Sequence, residues 1–194
     1  MKKIYLCAFA IIGVNSVFGQ IDFGVKAGLN RASLNYSGSS INDLGVKSDF
    51  NAGVFASIPL FTNFYLQPEI MYSGQGSGFT DSTQSTLNYN YLNIPVLFKY
   101  EHPSGFFAET GPQLGFLLSA HLEYHGANDL KDQTQSVDFS WAFGLGYKIP
   151  KVNLGLDLRY NYGLTNTVAT KYASAGWARN SVIQVDLFYQ FRMH

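Results

Sequence analysis

The chain is predicted to be all-β, and within that class an eight-stranded antiparallel up-and-down transmembrane β-barrel. Three observations carry the prediction. Apolar residues alternate with small or polar ones in eight runs of about ten residues, the length a tilted membrane-spanning strand needs. Charged residues make up only 13% of the chain while aromatics reach 16%, and ordinary soluble domains carry roughly 25% charge. The connections between the runs are long and polar at one set of junctions and only a few residues at the other, as in bacterial outer-membrane barrels.

The runs follow in order. IDFGVKAGLN (21–30) sets Ile21, Phe23, Val25, Ala27 and Leu29 against Asp22, Gly24, Lys26, Gly28 and Asn30, and a polar stretch continues to about Lys47. SDFNAGVFASI (48–58) puts Phe50, Ala52, Val54, Ala56 and Ile58 on one face, and a short PLFTN leads to FYLQPEIMYSG (64–74). A long polar loop, QGSGFTDSTQSTLN, precedes NYLNIPVLFKY (90–100), and EHPS turns the chain into GFFAETGPQLGFLL (105–118). A loop rich in Asn, Asp and Gln then gives way to VDFSWAFGLGY (137–147), Ile149-Pro150-Lys151 turns it into VNLGLDLRYNYG (152–163), and a loop from Thr165 to about Ala178 leads to SVIQVDLFYQF (181–191). Alternation at period two sends the two sets of each run to opposite faces of a sheet.

The first twenty residues read differently. MKK is a positive n-region, IYLCAFAIIGV an apolar core, and Val17-Phe18-Gly19 ahead of Gln20 offers small residues at the cleavage positions. Residues 1–19 are therefore expected to be a secretory signal peptide, too short in apolar length for a membrane anchor, with 20–194 as the barrel domain. Cys7, the only cysteine, falls in that segment, so no disulfide is expected in the exported protein. Removing Lys2 and Lys3 from 13 basic residues leaves 11 against 13 acidic, a net of −2, which gives no basic surface for nucleic acid.

A soluble sandwich or lipocalin-like barrel also alternates, but it turns its apolar face inward and coats the other with charge. Here the polar face is mostly Gly, Ser, Ala and Asn, which suits the narrow interior of eight strands. Tyr72, Tyr100, Tyr147, Tyr160, Tyr162 and Tyr189 stand near run ends, where aromatic girdles meet the membrane interfaces. Hydrocarbon offers no partner to a backbone N–H, so a spanning sheet must close. Pro68, Pro95 and Pro112 each remove a ladder donor inside a run, and they are expected to mark bulges or strand ends.

Four stretches, FGVKAGLN (23–30), YLQPEIMYSGQG (65–76), YLNIPVLFKY (91–100) and FAETGPQLGFLL (107–118), together resemble the PorT-like, OmpA-like outer-membrane β-barrel domain family. The resemblance spans nearly all of the exported chain through the order and spacing of these motifs. It implies an eight-stranded barrel inserted by the outer-membrane assembly machinery and implies no reaction. Barrels of this kind commonly end on an aromatic residue, whereas this chain continues past Phe191 to Arg192-Met193-His194.

Parity assigns Lys26, Asp49, Glu69, Lys99, Glu109, Asp138, Asp157, Arg159 and Asp186 to the lumen. An isolated buried ion costs several kcal/mol, so these charges must pair or stay wet. Glu69, Lys99, Glu109, Asp157 and Arg159 are the expected charge network, a structural plug rather than a proton or ion path. SAHLEYH (119–125) places Ser119, His121, Glu123 and His125 at alternate positions. Two imidazoles and a carboxylate are zinc-ligand types, and Ser, His and Glu are the parts of a hydrolase; without convergence in space they read as a solvated strand extension. Gly74-Gln75-Gly76 and Gly144-Leu145-Gly146 open no helix and read as strand glycines, not phosphate loops.

The expected protein is a small bacterial outer-membrane barrel, termini in the periplasm, without cofactor, metal or catalysis, and with a structural or adaptor role through long outer loops. Its expected partners are outer-membrane lipid, the assembly machinery and another envelope protein or extracellular ligand. The alternatives are a PorT-like component of a secretion or motility assembly, a lipid-modifying enzyme and a narrow pore.

Overall fold

A computed structural model describes residues 21–37, 44–79, 86–123, 127–129, 135–165 and 177–191. The proposed signal peptide lies outside them, as do His125 and the chain end after Phe191. The strands are β1 (Asp22–Ser37), β2 (Leu44–Phe61), β3 (Phe64–Phe79), β4 (Thr86–Glu101), β5 (Phe106–Glu123), β6 (Ala127–Asp129), β7 (Val137–Ile149), β8 (Leu154–Gly163) and β9 (Trp177–Phe191). Every pairing is antiparallel, β9 returns to β1, and β4 pairs with β5, so eight strands close into a barrel. The three residues of β6 only extend the top of β5, opposite His121 to Glu123.

Alternation decides which way each side chain points. Along β8 exposure switches at every residue: Leu154, Leu156, Leu158, Tyr160 and Tyr162 are exposed, and Asp157, Arg159 and Asn161 are buried. Cross-lumen hydrogen bonds from Arg159 to β3 and β5 show that the buried set points inward. The apolar residues therefore cover the outside, the reverse of a soluble barrel.

The turn end holds three short connections. Thr62 and Asn63 join β2 to β3 with Asn63 at φ 65°, Gly105 takes φ 101° before β5, and Asn153 takes φ 56° before β8. These are the left-handed positions that tight turns require. The first and last described strands begin and finish at this same end, where Phe23 pairs with Phe191. Phe61, Phe64, Phe98 and Tyr100 form a chain of ring contacts there, with centroids 4.8–6.4 Å apart. Tyr147 on Phe106 and Tyr189 on Phe191 continue that girdle. Phe50 with Tyr72, and Tyr160 with Tyr162, mark a second one toward the loop end.

Two expectations are corrected. The polar stretches expected as loops are partly strand: β1 runs on to Ser37, β2 starts at Leu44, β3 reaches Phe79, β4 starts at Thr86 and β9 at Trp177. Backbone pairing continues there beyond the runs that alternation marked. The three prolines, moreover, mark neither bulges nor strand ends. No pair joins β2 and β3 between Phe55↔Glu69 and Ile58↔Leu66, β3 and β4 between Pro68↔Val96 and Met71↔Asn93, or β4 and β5 between Pro95↔Gln113 and Phe98↔Thr110. Register is nevertheless unchanged across each lapse, so each proline only omits its own donor toward the preceding strand. The bulges lie elsewhere, between Val46 and Asn51, Pro59 and Phe61, and Asn90 and Tyr91.

Candidate functional site: the filled lumen

The lumen is packed in tiers. Toward the turn end, Phe55, Phe107 and Phe188 point inward and meet edge to face, with the Phe188 centroid 5.9 Å from that of Phe55 and 5.7 Å from that of Phe107. Each phenylalanine sits directly across the ladder from a glycine: Phe55 from Gly24, Phe107 from Gly146, Phe188 from Gly155. The ring lies where that glycine's side chain would be, since a Cβ there would fall 2.1–2.2 Å from the ring carbon Cζ. Aromatic rings over cross-strand glycines are a known device for holding curved sheets.

Lys99 extends over this trio, its Nζ 4.0 Å from the Phe107 centroid, a cation–π contact in a dry setting. Glu101 ties it to Lys148 nearer the turn end. No space wide enough for a water molecule lies between Lys26, Phe55, Gln67, Lys99, Phe107, Glu109 and Phe188.

The next tier is ionic. Arg159 donates from Nη1 to Glu69 Oε2 (2.8 Å), from Nε to Glu109 Oε1 (2.9 Å) and from Nη2 to Asp157 Oδ2 (3.1 Å). Lys26 donates to Asp157 Oδ2 at 2.7 Å and Glu69 Oε1 at 3.2 Å, and Gln67 Nε2 reaches Glu69 at 2.7 Å. All five ionic side chains of the cluster are no more than 2% exposed. Asp186 faces Asp157 across the β8–β9 ladder and accepts from Gln184 Nε2 at 3.0 Å. Two cations thus face three carboxylates, with a fourth carboxyl beside them.

Above the ions lies an amide and hydroxyl tier. Asn51 donates to Asn30, Asn30 to Ser73, Gln113 to Ser140 and Asn161 to Gln184. Tyr91, Leu117 and Ala120 close the sequence of tiers toward the loop end.

The structure thus brings Glu69, Glu109, Asp157 and Arg159 into one cluster. It sets Lys99 one tier lower, with Glu101 as its ion-pair partner, and gives the second cationic place to Lys26. Asp49 pairs with Lys47 nearer the loop end, and Asp138 accepts from Thr165. Of the other constellation only the Ser119 and His121 side chains are described. The bulge between Asn90 and Tyr91 adds a residue to β5, so Ala120 turns inward and Ser119 leaves the lumen parity of Glu109 and Gln113. Ser119 Oγ accepts from Asn90, whose Oδ1 accepts from the Tyr72 hydroxyl on the outer face. The Glu123 side chain and all of His125 lie outside the described residues, and among those described no group of three His, Cys, Asp or Glu stands close enough to share a metal.

An eight-stranded antiparallel barrel with an apolar exterior, two aromatic girdles and an ion-filled interior is a membrane-spanning barrel in class. The model of the outer membrane protein beta-barrel domain matches residues 15–169, and the chain belongs to that family. Among solved structures, Neisserial surface protein A (NspA) superposes with a TM-score of 0.58 at 16% identity, covering 87% of this chain and 97% of that one. Ail, the attachment invasion locus protein of Yersinia pestis, solved with the heparin analogue sucrose octasulfate, gives 0.51 at 12% identity, covering 89% and 99%. These likenesses are of fold. No curated protein matches the chain in sequence.

Proposed function

We propose that the protein is a non-catalytic, non-conducting outer-membrane barrel that serves as a rigid stem for its loop end, where a partner binds. The observation that carries this reading is the filled lumen: the Phe55, Phe107 and Phe188 trio and the Arg159 cluster occupy the cross-section, leaving the protein's outside as its working surface. The loop end holds the connections 38–43, 80–85, 124–136, which includes β6, and 164–176, six to thirteen residues each against two to four in the turns opposite. Exposed loops on a rigid scaffold are the usual seat of binding. The signal-peptide reading and the short turns beside both terminal strands favour a periplasmic turn end.

The PorT-like motif order favours a place in a secretion or motility assembly as the form this adaptor role takes. Ail's sulfated ligand makes a sulfated glycan the other binding class to try. The test replaces 38–43 and 166–176 by short Gly-Ser linkers and cross-links intact cells. The expected result is one partner or glycan captured by the wild type and lost by a loop-shortened barrel that still shows heat-modifiable gel migration. Equal capture by both forms, or none by the wild type, contradicts the reading.

A further inference from the structure

The outer wall carries a furrowed patch that neither the lumen nor the loops explain. Side chains facing outward fall into rows that follow the ladder from strand to strand. One row is Phe98, Thr110, Phe143, Tyr160 and Ile183; the next toward the turn end is Tyr100, Ala108, Leu145 and Leu158; a third is Phe106, Tyr147 and Leu156. Two depressions of about 660 and 550 Å³ lie between these rows, and both are bounded by the middle one. Ala108 offers only a methyl on that ridge between Tyr100 and Leu145, and it lines both depressions. The second furrow reaches the turn end at His102.

We propose that this patch is a binding site for one two-chain phospholipid of the leaflet at the turn end, an acyl chain in each furrow and the headgroup beside His102. Three observations select the occupant. The patch is continuous with the apolar belt that faces hydrocarbon in this family. A second barrel would bring another convex wall, which cannot enter a furrow floored by a methyl group, whereas a polymethylene chain can. At the furrow mouth the Ser104 backbone N–H donates to His102 Nδ1 at 3.2 Å. Ser104 Oγ lies 2.7 Å from the same nitrogen, so both local contacts engage Nδ1 and leave Nε2 of this exposed ring for a phosphate oxygen. The site rests on the outward orientation of the wall and is independent of what the loops bind.

The test is native mass spectrometry of the detergent-extracted protein after incubation with dipalmitoyl phosphatidylethanolamine. The wild type is expected to retain one lipid per barrel. Ala108→Phe, and more mildly Ala108→Leu, raise that ridge and lower occupancy, the Phe form about tenfold. Val54→Phe, on the exposed outer face of β2 away from the furrows, leaves occupancy unchanged. Heat-modifiable migration confirms that each variant is folded. A wild type that retains no more lipid than Ala108→Phe overturns the site, as does equal loss in Val54→Phe or a dimer of barrels in place of the lipid adduct.

Discussion

Arg159 is the residue on which the interior depends. Its guanidinium engages Glu69, Glu109 and Asp157 from one strand, bridging β8 to β3 and β5. Such a cluster gains little over a well-packed apolar substitute, because desolvation of the ions offsets most of their attraction. Removing one partner is a different matter, since the charges left behind find no water. Arg159→Met should lower unfolding stability by about 3–5 kcal/mol, read as a shift in the urea midpoint of gel-monitored unfolding in micelles. A shift within error would mean that water reaches the cluster.

At the scale of the element, β8 tests the orientation of the whole wall. Leu158 is 51% exposed on the barrel and is the middle one of the five outward side chains of β8. Leu158→Arg should cost about 2–4 kcal/mol, the penalty for a cation near the bilayer midplane, measured by the same unfolding assay in lipid vesicles. A harmless substitution would place that face elsewhere than in hydrocarbon.

The same strand shows why the fold was legible from sequence. VNLGLDLRYNYG alternates without interruption, and a period of two with greasy residues on the outer parity leaves one arrangement. The extents of β1 to β4 were less legible, because 75–79 carries Gly and Ser on both parities, while the alternation in 31–37 and 44–47 runs through stretches rich in Ser, Asn and Gly that also suit a loop. Sorting residues into apolar and polar faces also concealed the aromatic tier. Phe55, Phe107 and Phe188 share parity with Asn51, Glu109 and Asp186, so alternation put them inside, but their chemistry suggested lipid. The signal that finds them is the glycine opposite each, which requires the register and not only the sequence of one strand. Lys26 had the right parity and lacked only the cross-barrel distance that selects it over Lys99 as the partner of Asp157. Ser119 and His121 were displaced by a bulge, an insertion in pairing that no spacing in a single strand reveals.

For the molecule as a whole, the tiers make the barrel a solid stem. Eight strands enclose just enough room for side chains, and here rings, ions and amides take it in succession from the turn end toward the loops. The two proposed roles accordingly lie at the surfaces, a partner at the loop end and a lipid on the furrowed wall. The direct measurement is single-channel recording of the purified, heat-modifiable protein in planar bilayers. A closed stem predicts current indistinguishable from that of the protein-free bilayer across the voltage range the membrane tolerates. Steady, ohmic unit conductance from the wild-type protein would show an open path through the Arg159 tier and contradict the account.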